Sequence, residues 1–280
     1  LADLAEATVR RAGAGRLQVE LSLTHSSHEV RNALHGGLRG FDKVVWDAEL
    51  LESENAVRML YVSADGEEGY PGEVRSVLTY TLTEDNELKI DYEAESTKAT
   101  PYNVTNHTYF NLAGHDSGYH GEQTMQINSD RYLPTDAGAI PYGEEAAVEG
   151  SPFDFRQPHA IGDRIDVDNE QLRFAGGYDH NFCLNKDSAD ALSFAARAED
   201  VKSGRIMEVF TTEPGVQFYA GNFLDGAIKG KGGCMYIRRG GFCLETQHYP
   251  DSPNQPQFPN TILRPGETFR SQTVYKFSAT

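Results

Sequence analysis

The sequence predicts an all-β protein built of antiparallel sheet, and three observations carry that prediction. Apolar residues recur with a period of two over many short runs. Those runs are parted by short clusters of Gly, Pro, Asp and Asn, of which Lys202-Ser203-Gly204 is typical. Few convincing amphipathic helical stretches lie between them. The chain has 280 residues, and all-β sandwiches run to roughly 200–250 residues as one unit, so a single large domain over 1–280 is the expectation.

The first clear element starts near Glu73, where Leu78, Tyr80 and Leu82 fall on one parity and Thr79, Thr81 and Thr83 on the other. That is a half-buried strand. After the turn residues Glu84-Asp85-Asn86, Leu88, Ile90, Tyr92 and Ala94 alternate with Lys89, Asp91, Glu93 and Glu95. The pair reads as a hairpin with one solvated face. Further strands are predicted from Tyr102 to Leu112, Asn181 to Asn185, Leu192 to Ala198, Ile206 to Thr212, Val216 to Ala220, Phe242 to Tyr249 and Phe269 to Phe277. No repeat, low-complexity tract or composition change marks a domain boundary.

Composition excludes several classes. A net charge of −17 argues against a binder of the phosphate backbone of nucleic acids. A hydrophobic fraction of 39% is ample for a core, yet no run of about 18 apolar residues exists to span a bilayer, so no membrane partner is expected. Cys183, Cys234 and Cys243 form no CxxC pair and are odd in number, which favours buried reduced thiols over disulfides or a thiolate zinc site. The first residues, Leu1-Ala2-Asp3-Leu4-Ala5-Glu6, show neither the basic start nor the apolar run of a leader, and a cytoplasmic address fits best.

Two stretches are rich in chemistry. In Thr100 to Gly114, an extended strand would set His107 on one face with Asn103, Thr105, Tyr109 and Asn111. A polar face on a large sheet is either solvated or lines a cleft, and strand histidines often only satisfy backbone groups. In Gly241 to Asp251, Glu245 sits mid-strand among apolar residues. Burial of such a carboxylate favours its protonated form, which suits a general base working near neutrality. The same position suits a Glu ion-paired with an Arg, and strand parity does not separate the two readings. His35, in Ala33-Leu34-His35-Gly36-Gly37, and His180, in Gly177-Tyr178-Asp179-His180, stand beside glycines that let a ligand approach the backbone. No HExxH, GxSxG, Walker loop or GxGxxG occurs, so neither a metal nor a nucleotide cofactor is expected.

Taken together, the motifs resemble the aldose 1-epimerase (galactose mutarotase) family. The matching stretches are Asn32 to Gly37 with Gly40 to Lys43 and Trp46, Glu68 to Gly72, Asn103 to Leu112, Gly177 to Phe182, Gly215 to Tyr219 with Gly221-Asn222, and Leu244 to Gln247 with Tyr249 to Asp251. Each alone is weak; six in family order are specific. The resemblance implies a large antiparallel β-sandwich of the supersandwich type and cofactor-free interconversion of the α and β anomers of free aldohexoses. It implies Glu245 as the base at the C1 hydroxyl and His107 as the acid at the ring oxygen; opening a hemiacetal takes one proton lost and one gained, for which an acid and a base on opposite sides of the sugar suffice. His35, Asp179 and Gln217 match ligands of the sugar hydroxyls, with His35 also placed to assist at the ring oxygen.

The start of the chain departs from the family pattern. Family members usually carry several strands before the His-Gly-Gly motif and an Asn-Arg pair that grips the sugar. Here the chain starts late, and Arg10-Arg11 stands at that place, so Arg11 matches the ligand Arg by spacing alone. Were those strands absent from the protein, the sandwich would have an exposed edge. Two rivals remain: a silent sugar-binding module, and a hexose-6-phosphate 1-epimerase. The second needs a cationic pocket, for which Arg238-Arg239 is the obvious late dibasic pair.

Overall fold

The computed structural model describes residues 6–12, 16–22 and 32–280, the first two segments as backbone only. Two compact units emerge, one from the residues up to Tyr102 together with Ile262–Gln272, the other from Asn103–Thr261 together with Thr273–Thr280.

In the first unit, β1 (Glu6–Ala12), β2 (Arg16–Ser22), β3 (Val45–Leu51), β4 (Ala56–Ser63), β5 (Val74–Leu82) and β6 (Glu87–Ser96) form an antiparallel meander, each strand pairing with the next. The predicted hairpin is present, with Leu82 opposite Leu88. On β6 the predicted alternation holds: Ile90, Tyr92 and Ala94 are buried, while Lys89, Asp91 and Glu93 are half-buried and Glu95 is exposed. A short β7 (Thr100–Pro101) pairs with a later strand of the same unit, described below. Aromatic side chains fill the interior, with Phe41 against Trp46, Tyr61 and Tyr102, and Tyr102 against Phe269. Their polar atoms are satisfied: Trp46 Nε1 donates to Phe41 O at 2.9 Å and the Tyr102 hydroxyl to Ser76 Oγ at 3.0 Å.

The second unit contains β8 (Thr124–Ile127), β9 (Ser129–Tyr132), β10 (Ala146–Ala147), β11 (His159–Ala160), β12 (Asp179–Leu184), β13 (Ser193–Asp200), β14 (Arg205–Thr211), β15 (Gly215–Tyr219) and β16 (Cys243–Gln247). A single α-helix among the described residues, α1 (Glu170–Ala175), is capped by Asn169, whose side chain accepts from Gln171 N and Leu172 N. The chain then returns as β17 (Ile262–Leu263), the partner of β7, and β18 (Thr268–Ala279).

Within this second unit two sheets face each other. One runs β18, from Thr273 onward, then β14, β13, β8 and β11; the other runs β10-β9-β12-β15-β16. The Tyr275 hydroxyl on β18 donates to Leu244 O on β16 at 2.9 Å, and Thr246 and Thr273 share a hydrogen bond of 2.5 Å. Phe153, Phe155, Tyr178, Phe182, Phe218 and Phe242 are fully buried and pack edge-on or stacked. No described helix is long and apolar enough to cross a membrane.

Most predicted strands stand within a residue or two of their expected ends, but the stretch from Tyr102 to Leu112 does not form a strand. Between β7 and an isolated bridge of Phe110 with Phe242 it has no ladder. Its Asn and Thr side chains explain this, because short polar side chains offer backbone groups an alternative partner. Asn106 Oδ1 accepts from Thr108 N at 3.3 Å, and Asn103 exchanges two hydrogen bonds with the backbone of His248, at 2.9 and 3.0 Å. The strands β3, β4, β8 and β9 carry no prediction from the sequence; β8 and β9 are four residues each, too short for a period to declare itself.

Phe218 sits on β15 with no exposure and packs against Phe155, Tyr178 and Phe242. Phe218→Ala is expected to lower unfolding free energy by about 3–5 kcal/mol, read from urea denaturation. A loss below about 1 kcal/mol would show that this aromatic cluster is not the core of the unit.

Candidate active site

Three adjacent strands of the second unit build the site by period and register. On β16 the Thr246 side chain faces β18, so alternation turns Cys243, Glu245 and Gln247 to the other face. The register then sets Gln217 of β15 opposite Glu245 and Tyr219 opposite Cys243. One strand further, Asn181 of β12 stands opposite Gln217 and Asp179 opposite Tyr219. Two rows cross the sheet: Asp179, Tyr219, Cys243, and Asn181, Gln217, Glu245. The opposite face of the same strands carries His180, Phe182, Val216, Phe218 and Leu244, all buried in the core.

Glu245 is 6% exposed. His107 meets it, Nε2 standing 3.5 Å from Oε1. The histidine comes from the irregular 103–109 segment, which is tied at both ends to β16. Phe110 and Phe242 exchange backbone hydrogen bonds of 2.7 and 2.9 Å just before the strand, and Asn103 clamps His248 just after it. The imidazole is stacked on Tyr109 at 5.4 Å and meets the edge of Tyr219 at 6.1 Å. The two residues that the resemblance implies as acid and base are therefore neighbours.

Gln217 Nε2 donates to Asp179 Oδ1 at 2.8 Å, and Gln217 Oε1 accepts no hydrogen bond from any described residue. Asn181 Nδ2 likewise donates to none, although it is buried. Amide atoms with open valences on one sheet face are suited to a ligand rich in hydroxyls. Asn181, Tyr109, Tyr219 and Cys243 were not named as site residues by the sequence. The signal was available for Asn181, which shares the parity of Asp179. Cys243 shares the parity of Glu245, and its buried-thiol reading holds: burial, then the nearby Glu245 and Asp179 carboxylates, push its pKa well up.

His35 and Arg11 belong to the first unit. His35 is exposed in a turn closed by Gly37 N donating to Leu34 O at 3.1 Å, with φ of 54°. The next glycine pair is needed there. Gly37 has φ of 104°, and a Cβ on it would lie 2.3 Å from Glu68 Oε2. The Glu68 carboxylate accepts from Leu38 N at 2.9 Å and Arg39 N at 3.0 Å, so two motifs distant in sequence are one structure. Arg11 lies on β1, and its side chain lies outside the described residues.

A profile of the family described as Aldose 1-epimerase matches residues 12–276. The chain belongs to the aldose 1-epimerase family. Over 247 residues it is 51% identical to galactose mutarotase from Homo sapiens, covering 88% of this chain and 69% of that protein. It is 39% identical to aldose 1-epimerase from Escherichia coli over 260 residues, covering 92% and 74%. The fold is shared with the aldose epimerase homologue from C. elegans, at a TM-score of 0.79 and 28% identity over 88% of this chain and 72% of that one. Galactose 1-epimerase from Lactobacillus acidophilus is similar at a TM-score of 0.76 and 32% identity, over 88% and 70%. The aldose epimerase fold expected from the motifs, all β with large antiparallel sheets, is thus the one observed.

Of the histidines singled out, His180 is a core residue rather than a ligand. It is fully buried against Tyr132 and Phe153, and its Nδ1 accepts from Asp179 N at 3.2 Å. Burial lowers its pKa from 6.5 to about 3, and lowers that of buried His120 to about 4. Both pKa values are depressed on folding, so their stabilising effect is complete above about pH 6.5 and is lost progressively as pH falls from there to the folded values of about 4 and about 3. Each histidine is expected to contribute a loss on the order of 2 kcal/mol between pH 7 and pH 5, measured by urea unfolding. His180→Phe is expected to remove its share of that slope; an unchanged slope would sink the account.

Proposed function

We propose that the chain is a mutarotase that interconverts the α and β anomers of free aldohexoses, galactose foremost, by acid–base opening and closing of the ring. The observation that carries the reading is the 3.5 Å pair of His107 and Glu245 on a sheet face where Gln217 Oε1 and Asn181 Nδ2 have no hydrogen-bond partner among the described residues. The names of two relatives, galactose mutarotase and galactose 1-epimerase, support galactose as the sugar.

The chemistry asks for adjacent groups. Opening a hemiacetal removes a proton from the C1 hydroxyl and delivers one to the ring oxygen, and both oxygens are bonded to C1. Glu245 takes the first proton and protonated His107 supplies the second. The aldehyde then turns about the C1–C2 bond. In closure the roles reverse: His107 takes the proton of the C5 hydroxyl as it attacks the other carbonyl face, and Glu245 returns its proton to the carbonyl oxygen. Both groups end as they began, so the cycle needs no oxidant and no cofactor.

Asp179 and Gln217 hold sugar hydroxyls, Gln217 through its open Oε1 and Asp179 as the acceptor that orients that amide. His35 and Arg11 are proposed as further ligands on the family resemblance alone. The phosphate rival loses support at the late dibasic pair. Arg239 is buried and held by both oxygens of Asp166 at 2.8 Å, and Arg238 donates to Gly176 O at 2.8 Å. The Arg239 charge is already neutralised.

Polarimetry on freshly dissolved α-galactose and α-glucose tests the reading; rotation that decays no faster than in buffer with folded protein would overturn it. Glu245→Gln is expected to keep galactose binding and to lower kcat by about 10²–10⁴-fold, because the amide is nearly isosteric but takes no proton. Activity within a few-fold of wild type would make Glu245 structural.

His107→Asn is expected to lose a similar factor in the same assay, since Asn hydrogen-bonds the ring oxygen without protonating it. Retention of the rate in His107→Asn together with its loss in His35→Asn would exchange the roles of the two histidines.

A further inference from the structure

We propose that His107, Cys243 and Glu245 form a three-ligand site for Zn2+ and that its occupancy shuts the reacting pair. The inference rests on the proposed roles of His107 and Glu245 for its inhibitory consequence, and on geometry for the site itself. One ligand atom from each residue, Nε2 or Nδ1, Sγ and a carboxylate oxygen, lies within 4.8 Å of the other two. The ligand atoms of a tetrahedral zinc stand roughly 3.3–3.6 Å apart. The His107 Nε2 to Glu245 Oε1 separation of 3.5 Å already has that value.

The arrangement follows from strand period. Cys243 and Glu245 are two residues apart on β16 and share a face. His107 is held across from them by the Asn103 clamp and the Phe110 bridge. Sequence spacing hid the cluster, because its third member is far away in the chain.

The donor set selects the ion. Thiolate, imidazole and carboxylate suit a borderline-soft cation, whereas Mg2+ and Ca2+ require six or more oxygens. The charges also close: one thiolate and one carboxylate neutralise a dication next to a neutral imidazole, which a buried location demands. Cys243 has no exposure and Glu245 6%, while the His107 side chain is 13% exposed. Binding replaces the S–H bond by S–Zn and releases the proton to solvent, so affinity rises with pH. Metal and sugar compete, since both engage the same two groups.

Co2+ titrated into chelator-treated wild-type protein is expected to raise a thiolate-to-cobalt charge-transfer band that saturates at one equivalent per chain. Zn2+ is expected to abolish the band and Mg2+ to leave it. Saturating galactose should suppress it, which tests the location in the wild-type chain without any variant. Cys243→Ser should lose the band and require about 100-fold more Zn2+ to inhibit mutarotation, each protein being compared with its own uninhibited rate. Absence of the band in folded wild type, its survival in Cys243→Ser, or its indifference to galactose in protein that mutarotates would each overturn the proposal. Failure of the mutarotase reading is separately visible, as a metal-free protein that forms the band but does not mutarotate.

Discussion

A carboxylate in the middle of a buried β-strand sets the terms for what surrounds it. Glu245 is flanked on β16 by buried Leu244 and Thr246 and is almost shut off from solvent, so its charge needs a partner close by. His107 is that partner. A regular neighbouring strand would spend its backbone groups on a ladder. The 103–109 segment instead crosses β16 tied at its ends, and its own Asn side chains take up backbone groups. The missing strand and the presence of His107 beside Glu245 are two aspects of one arrangement.

The same strands serve two purposes because successive side chains point to opposite faces. One face of β12, β15 and β16 closes an aromatic core; the other presents two rows of polar groups. Neighbours in sequence thus have opposite fates. Asp179 faces the site, while His180 is buried among Tyr132 and Phe153, where desolvation holds it neutral. Rigidity of the site follows from the core beneath it, since Gln217 and Glu245 project from strands whose other faces are packed by Phe218 and Leu244.

Charge is arranged with similar economy. The protein carries a net charge of −17, and the late dibasic pair is engaged, Arg239 by Asp166 and Arg238 by the Gly176 carbonyl. In the first unit a carboxylate has a structural role, as Glu68 gathers the backbone amides of Leu38 and Arg39 and fills the space that Gly37 leaves. The His-Gly-Gly turn keeps its shape because of a residue some thirty positions away.

The sequence by itself determined the class of fold, the hairpin of β5 and β6, and the identities of Glu245, His107, Asp179 and Gln217 as the residues to watch. Period-two alternation and turn residues are local properties, and the family motifs are strings, so both are readable along the chain. Tertiary structure decided which residues meet. Strand register set Asn181, Gln217 and Glu245 in one row, and no local signal specifies register between strands separated by long loops. It also decided that residues 103–109 leave the sheet, because the partner of Asn103 is the backbone of His248, 145 positions on. The cluster of His107, Cys243 and Glu245 has the same origin: contact between segments far apart in sequence is fixed only when the chain has closed its core.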